Sequence, residues 1–267
     1  MRLHYLLWPL AAHAVNIVSS NDDGWAEVNI RALFESLGDA GHSVVVSAPA
    51  ENQSGTDMLC AYTPSTLTEP CEFDSCPSGS PAVGYNTSEP RLGYVNSYPA
   101  TSMKYGIESR TAGAATYAAH TAGIPGIAFS GASGSQTSWN ASRPHYSDVY
   151  AELATNLTNQ VVAAGKPYLP DDIWLNVNFG KVSDSECTDP EDFSFVLSRI
   201  HVAVPLITPD DVTTCGSSRL PSEIEVSLAS GCHASVSVGL AGSKNDANAT
   251  MQGVVLKKLG DFLTCLP

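Results

Sequence analysis

Two unbroken apolar runs near the start of the chain, separated by a helical pattern, most constrain its fold. Residues 15–20 form the first run, and residues 43–48 form a second run rich in β-branched side chains. Between them, residues 26–37 carry apolar side chains at helical spacing and are followed by Gly38 and Gly41. Strand, helix and strand within about 35 residues indicate a βαβ unit. Strands without polar alternation are typical of a parallel sheet that is covered on both faces.

The rest of the chain continues this α/β pattern. Residues 51–98 are rich in Pro, Ser, Gly and Thr, which predicts long loops with short strands. The sequence has no internal repeat and no linker, and 267 residues are enough for one large domain. The further predictions are helices over 111–120, 147–164 (with Ser147 as its cap) and 251–263, and strands over 123–131, 173–178, 193–204 and 234–238, the last two antiparallel.

The charge of the chain excludes one large class of partner. It has 27 acidic and 13 basic side chains and a formal net charge of −14. A phosphate backbone would be repelled by this charge, so we expect no nucleic-acid polymer as a partner. No segment beyond the N-terminus reaches the roughly 18 apolar residues of a membrane span, so no membrane partner is expected.

The N-terminus and the cysteines predict export. Residues 1–14 contain Arg2, a short apolar run and an Ala12-x-Ala14 ending, the pattern of a secretory signal peptide. The alternative is that this run is the first core strand. The seven cysteines lack paired C-x-x-C spacing, which favours disulfides over a zinc site. Five Asn-x-Ser/Thr sequons agree with a secreted, disulfide-bonded glycoprotein. Because seven is odd, one cysteine is left over.

A candidate site follows the first two predicted strands. Ligands of parallel sheets bind outside the carboxyl ends of the strands, where Asn21, Asp22, Asp23 and Gly24 follow the first strand. Two adjacent carboxylates there can hold a hard divalent cation, although an Asp in this place can also simply cap the next helix. After the second strand, Ser54 precedes a glycine and offers a hydroxyl to a metal and amides to an anion. Alone, this second segment is an ordinary turn.

Several stretches together resemble the SurE (survival protein E) family, especially its secreted fungal members. The most specific are residues 17–24 (IVSSNDDG) and 48–55 (APAENQSG). Residues 94–102 (YVNSYPATS), 111–115 (TAGAA) and 123–130 (GIPGIAFS) also match segments of the family pattern. The resemblance covers nearly the whole chain after the signal segment and marks residues 15–267 as one SurE-like domain.

The resemblance implies a Rossmann-like three-layer α/β sandwich with a mostly parallel sheet and a β-rich C-terminal extension. It also implies a metal-dependent phosphomonoesterase that hydrolyses nucleoside 5′- or 3′-monophosphates or other phosphomonoesters, using Mg²⁺ or Mn²⁺. Asp22 and Asp23 would be catalytic and, with Ser54, would be the metal ligands. The implied substrate-binding residues are Asn21, Ser54, Gly55, Asn96, Thr111 and Gly113. Whether the protein is a homo-oligomer is not determined by the sequence.

The chain departs from the family pattern after Ile107. Family members carry a strand at this point that ends in P-D-L-V-x-S-G-x-N-x-G-x-N, and its first Asn completes the metal shell. Here residues 108–110 join the two flanks directly, so we expect a central strand and one ligand loop to be missing. This loss predicts weaker cation binding and impaired activity. The alternative function is a secreted glycoprotein that keeps the fold and binds metal or nucleotide without catalysis.

Overall fold

The computed structural model describes residues 14–55, 63–108 and 123–267, and its first half confirms the βαβ unit. Strand β1 (Asn16–Ser19), helix α1 (Val28–Asp39) and strand β2 (Ser43–Pro49) follow in order, with β1 parallel to β2. Strands β3 (Val83–Tyr85) and β4 (Leu92–Val95) complete a sheet of order β1-β2-β4-β3. In it, β4 is parallel to β2 and antiparallel to β3.

The second half forms another sheet, of order β5-β6-β8-β7-β9. Strands β5 and β6 are parallel, and β8 runs antiparallel to β6. The prediction of antiparallel strands in this region is confirmed for β8 by its pairing with β6, but it is wrong for β7, which is parallel to β8 and β9 and ends at residue 198. The strand bounds are Gly126–Gly131 (β5), Ile173–Phe179 (β6), Ser194–Ser198 (β7), His233–Leu240 (β8) and Leu263–Thr264 (β9).

Within the described ranges, four further α-helices pack on the sheets: α2 (Pro99–Glu108), α3 (His145–Ala163), α4 (Glu223–Leu228) and α5 (Ala249–Leu259). The sequence prediction that Ser147 caps α3 is wrong. Ser147 lies inside the helix, where its hydroxyl donates to Asn29 Oδ1 at 2.6 Å. The predicted helix over 111–120 lies outside the described residues. Within the described part, no helix is long and apolar enough to cross a membrane.

The sheet is divided at the place where the sequence lacks a strand. Within the described residues, β1 pairs only with β2 and β5 pairs only with β6. Both strands line one cavity of about 800 Å³, which apolar side chains of α1 and α3 also line. The carboxyl ends of β1 and β5 meet, since Gln136 after β5 donates to the Asp23 carbonyl after β1. In the described part of the fold, a break between two sheet edges therefore lies where the family pattern has its extra strand, with the candidate site at one end of the break.

Each sheet has its own apolar core, and contacts between α1 and α3 join the two halves. The first core contains Val44 and Val46 of β2, and the second contains Leu175 of β6. Ser36 of α1 lies 2.8 Å from Thr155 of α3, measured between their hydroxyl oxygens. The position of β1 relative to β5 is thus held by helices on one face of the break.

The disulfide prediction is confirmed for six of the seven cysteines. The bonds join Cys71 to Cys76, Cys187 to Cys232 and Cys215 to Cys265. Cys60 lies outside the described residues. The second and third bonds close loops in the C-terminal extension, and the first closes a short loop beside the candidate site.

Candidate metal and phosphate site

The structure brings the three predicted metal ligands together at the carboxyl ends of β1 and β2. Ser54 Oγ lies 2.9 Å from Asp23 Oδ1 and 3.3 Å from Asp22 Oδ2, within hydrogen-bond reach of both carboxylates. The backbone N–H of Gln53 donates to the Asp22 carbonyl at 2.6 Å and ties the two loops together. Because β1 and β2 are parallel neighbours, these loops leave the sheet side by side.

The turn that presents the two carboxylates depends on Asn21 and Gly24. Asn21 Nδ2 donates to the Gly24 carbonyl at 3.1 Å, and Asn21 Oδ1 accepts from the Gly24 N–H at 3.2 Å. Gly24 has φ +103°, and a Cβ at this position would lie 2.9 Å from Glu72 Oε2. A side chain at position 24 would therefore strain the backbone and collide with a carboxylate. The Asn21 side chain thus closes the turn. Its role in phosphate binding stays a prediction.

Amide and carboxyl side chains from three other loops surround Asp23. Asn52 Nδ2 donates to Gln136 Oε1 at 2.9 Å and lies 3.4 Å from Asp23 Oδ1. Gln136 Nε2 donates to the Asp23 carbonyl at 2.8 Å and to Glu72 Oε1 at 2.9 Å. Sequence analysis did not single out these three residues as site residues. The carboxyl-end rule could have found Gln136, which follows β5, but no pattern in the sequence points to Glu72.

The remaining predicted site residues are placed differently. Gly55 adjoins Ser54 with φ +77°, a conformation that favours glycine. Asn96 Nδ2 donates to the Ser65 carbonyl at 2.8 Å, and no contact described here joins Asn96 to Asp22, Asp23 or Ser54. Thr111 and Gly113 lie outside the described residues. The substrate-binding roles of all these residues remain predictions.

The donor set fits a hard divalent cation. Asp22, Asp23 and Ser54 offer only oxygen atoms, which Mg²⁺ and Mn²⁺ prefer. In the described part of the chain, no group of three or more His, Cys, Asp or Glu side chains converges to hold a metal. Two carboxylates and a hydroxyl leave coordination positions for water and for a phosphate oxygen, which suits Mg²⁺ because it keeps several waters when bound.

The cavity beside the carboxylates offers space for an organic group. Asp22 and Asp23 line it, together with aromatic side chains from β5, β6 and α3. Among these, the rings of Tyr150 and Phe179 stack with their centroids 5.5 Å apart, and Phe179 stacks on Phe129 at 5.8 Å. A volume of about 800 Å³ with an apolar wall and a polar end is typical of a small-molecule site.

Two carboxyl groups near the site, the buried Glu27 and the half-buried Glu72, have raised pKa values. Burial raises the pKa of Glu27 from 4.5 to about 7; the Asn29 amide lowers it in part, and the negative charge of Asp23 adds to the rise. Burial also raises the pKa of Glu72, and the hydrogen bond from Gln136 opposes this rise. Glu27 is 1% exposed and lines the cavity, so its charge state acts on both folding and the site.

The raised pKa of Glu27 predicts that the protein loses stability as the pH rises. Folded Glu27 holds its proton up to about pH 7, whereas the unfolded chain releases it near 4.5, so folding takes up a proton between these values. The contribution of protonated Glu27 to the free energy of unfolding is complete below pH 4.5 and is lost as the pH rises through about 7. At about 1.4 kcal/mol per pKa unit, the loss is at most about 3 kcal/mol.

Urea unfolding of the chelator-treated protein below pH 4.5 and above pH 7 measures this loss. We expect Glu27→Gln to remove most of it, so that the variant is more stable than the wild type only at the higher pH. Glu152→Gln, at an exposed position of α3, is the matched control and should leave the pH dependence unchanged. Identical pH dependence in Glu27→Gln and the wild type would contradict the prediction.

Comparison with known proteins agrees with the geometry of the site. The family model described as survival protein SurE matches residues 17–196. An acid phosphatase of Yarrowia lipolytica (strain CLIB 122 / E 150) is 29% identical over 280 positions, covering 83% of this chain and 78% of that protein. The alignment is longer than the part of this chain that it covers, so the Yarrowia protein carries residues without a counterpart here.

Two bacterial proteins named 5′-nucleotidase SurE match shorter stretches. That of Actinobacillus pleuropneumoniae serotype 5b is 46% identical over 56 residues, which cover 21% of this chain and 20% of that protein. That of Desulfovibrio desulfuricans is 32% identical over 128 residues, covering 43% and 49%. Since the family model spans most of the chain, including both carboxylates, Ser54 and β1 to β6, this chain belongs to the SurE family.

Proposed function

We propose that this protein is a phosphatase-type hydrolase that acts on nucleoside 5′- or 3′-monophosphates or other small phosphomonoesters and depends on Mg²⁺ or Mn²⁺. The observation that carries the proposal is the convergence of Asp22, Asp23 and Ser54 at the carboxyl ends of two parallel strands, beside a cavity. The names of its relatives, acid phosphatase and 5′-nucleotidase SurE, support the same reaction class.

In this proposal each described site residue has a defined task. Asp22, Asp23 and Ser54 hold the cation, which when bound supplies charge neutralisation for the phosphate and activation of water. Asn21 and Gly24 close the turn that keeps the two carboxylates side by side. The cavity takes the organic group of the ester, and the half-buried ring of Tyr150, which lines it, offers an aromatic contact to a nucleobase. Backbone amides at residues 111–113 are proposed to bind phosphoryl oxygens.

We also propose that the protein is exported, with residues 1–14 removed as a signal peptide and with glycans on some of the five sequons. The three disulfides support this proposal because such bonds persist in oxidising compartments. No nucleic-acid polymer and no membrane is proposed as a partner. In the described part of the fold, β1 and β5 are edge strands, which is compatible with association between copies as a homo-oligomer.

The break between the sheets favours a second candidate function. A protein that keeps the carboxylates but lacks a strand beside them would bind a cation or a nucleotide without turning it over. The specific observation is that β1, the strand leading to Asp22 and Asp23, is an edge strand in the described part of the fold. Edge strands move more easily than central ones, and catalysis demands tighter positioning than binding does.

Phosphate release from 5′-AMP, 3′-AMP and p-nitrophenyl phosphate distinguishes these candidates. The full chain is assayed with Mg²⁺ or Mn²⁺ added, and again after treatment with a chelator. We expect release that the chelator abolishes and that added Mn²⁺ or Mg²⁺ restores, because the described ligands are all hard oxygen donors. Folded protein that binds the cation but releases no phosphate from any of the three esters would establish the second candidate instead.

A further inference from the structure

Glu72 lies in a short loop that is fixed to the strand beside the site. The loop is closed by the Cys71–Cys76 disulfide and by a hydrogen bond from the Cys71 N–H to the Cys76 carbonyl at 2.9 Å. The Glu72 N–H donates to the carbonyl of Ala50, the residue that follows β2, at 3.0 Å. The disulfide and the backbone hydrogen bonds thus fix the backbone of Glu72 beside the loop that carries Ser54.

From this place Glu72 reaches Asp23 through Gln136. Gln136 Nε2 donates one hydrogen bond to Glu72 Oε1 at 2.9 Å and another to the Asp23 carbonyl at 2.8 Å. These two acceptors hold the orientation of the Gln136 amide. Gln136 Oε1 accepts from Asn52 Nδ2, which also lies 3.4 Å from Asp23 Oδ1. The backbone and the carboxylate of Asp23 are therefore tied into one network that begins at the disulfide loop.

The Glu72 carboxylate is half-buried beside the site and takes part in two contacts with the network. Gln136 donates to its Oε1, and the backbone N–H of Asn52 also donates to the carboxylate. Its Oε2 lies 2.9 Å from the place that a Cβ at position 24 would occupy. Glu72 thus contacts both the turn and the network that define the position of Asp23.

The free edge of β1 gives this network its importance. In a sheet with a strand on both sides of β1, the loop after β1 would be held from two directions. Here, within the described residues, β1 is paired on the β2 side only. On the β5 side, Gln136 bonds Asp23 itself, and backbone hydrogen bonds join residues 137–139 to residues 26–28 just beyond it. Gln136 is thus the described side chain from the β5 side that bonds Asp23 directly.

We propose that Glu72 is a positioning residue that acts through Gln136 to hold Asp23 for cation binding. The inference rests on the proposed function, since it concerns the cation of that site. Groups that orient metal ligands without touching the metal typically change metal affinity by about 10–100-fold when they are removed. We therefore expect Glu72→Ala to weaken Mn²⁺ binding by a factor in this range.

Isothermal titration of the full chain with Mn²⁺, together with the electron paramagnetic resonance signal of bound Mn²⁺, tests the proposal. Gln136→Ala should weaken Mn²⁺ binding as much as Glu72→Ala does. The double variant should be no weaker than either single one, because both substitutions break the same bridge. Fully additive effects would mean that the two residues act independently, and would overturn the proposal.

Two matched variants separate positioning from charge. Glu72→Gln keeps an acceptor oxygen for Gln136 and should restore Mn²⁺ affinity to near the wild-type value, whereas a purely electrostatic role predicts the same loss as in Glu72→Ala. Glu51→Gln, at an exposed neighbouring position, removes one negative charge outside the network and should leave binding unchanged. Thermal unfolding of each variant confirms that folded protein is being titrated.

Failure of the inference and failure of the proposed function give different results. Equal Mn²⁺ affinity in the wild type and in Glu72→Ala would overturn the positioning role and leave the cation site standing. A folded wild-type protein that binds no Mn²⁺ and releases no phosphate would overturn the proposed function and the positioning role together. If Glu72→Ala is too unstable to purify, Gln136→Ala, at an exposed position, provides the same comparison.

Discussion

Replacing Asp211 with alanine is expected to lower the free energy of unfolding by about 3–5 kcal/mol. Asp211 is 6% exposed and accepts hydrogen bonds from Arg199 Nη1 at 2.9 Å, Gln252 Nε2 at 2.9 Å and the Leu220 N–H at 3.1 Å. Arg199 is itself buried, with a second, longer contact to Asp246 at 3.3 Å. Removal of Asp211 leaves the buried guanidinium of Arg199 without its main charged partner, and a buried charge without its partner is strongly destabilising.

This network fixes the C-terminal extension rather than the site. It joins the residue after β7, the loop that contains Cys215, and helix α5, which carries Gln252. Urea unfolding measures the loss, and Asp210→Ala is the matched control because its carboxylate is 77% exposed and meets Arg219 at 3.3 Å. An exposed pair contributes about 0–1 kcal/mol, so a similar loss in both variants would contradict the role assigned to Asp211.

The parts of the fold that the sequence predicted are those that local patterns determine. The βαβ unit of the first fifty residues depends on the periodicity of apolar residues within each element, and the structure confirms its three elements. The site followed from one further rule, that loops at the carboxyl ends of neighbouring parallel strands lie side by side. That rule placed Asp22, Asp23 and Ser54 on one edge of the sheet, where the structure brings them together, and the resemblance to the family singled them out as metal ligands.

The parts that were missed depend on contacts between distant residues. Whether a strand of the second sheet is parallel or antiparallel to its neighbour depends on the order in which β6, β7 and β8 pair. Polar and apolar residues alternate in the same way in parallel and antiparallel strands, so this pattern does not predict the direction. Glu72 is brought to the site by a disulfide loop and is distant from Gln136 along the chain, so no local sequence pattern predicts their contact. Ser147 is a good cap by residue type, but its hydroxyl bonds instead to Asn29 on α1.

The absence of the central strand was predicted from a departure in the family pattern, and its structural consequence is a specific one. Among the described residues, the two flanking strands do not pair with each other, and they are the edges of separate sheets that line the same cavity. Helices α1 and α3 pack together across one face of the break and keep the carboxyl ends of β1 and β5 close. The donor set near Asp23 therefore survives a loss that divides the sheet.

Replacing Asp23 with asparagine is expected to reduce phosphate release by about a hundredfold or more, since the cation it holds stabilises the transition state by several kcal/mol. Asparagine keeps the oxygen that now meets Ser54 Oγ at 2.9 Å and Asn52 Nδ2 at 3.4 Å, so the loops should stay in place. Only the negative charge is lost. The rate of phosphate release from 5′-AMP at saturating Mn²⁺, compared with the wild type, measures the effect.

Asp39→Asn is the matched control because it removes the same charge from an exposed position at the far end of α1. It should leave the rate unchanged, which excludes an effect of net charge on an already acidic protein. A full rate in Asp23→Asn would remove this carboxylate from the reaction. In a protein that binds without catalysis, the same substitution would weaken Mn²⁺ binding while neither protein released phosphate. Titration and assay of this single pair therefore decide between an enzyme whose carboxylates work at the edge of a divided sheet and a binding protein that retains them.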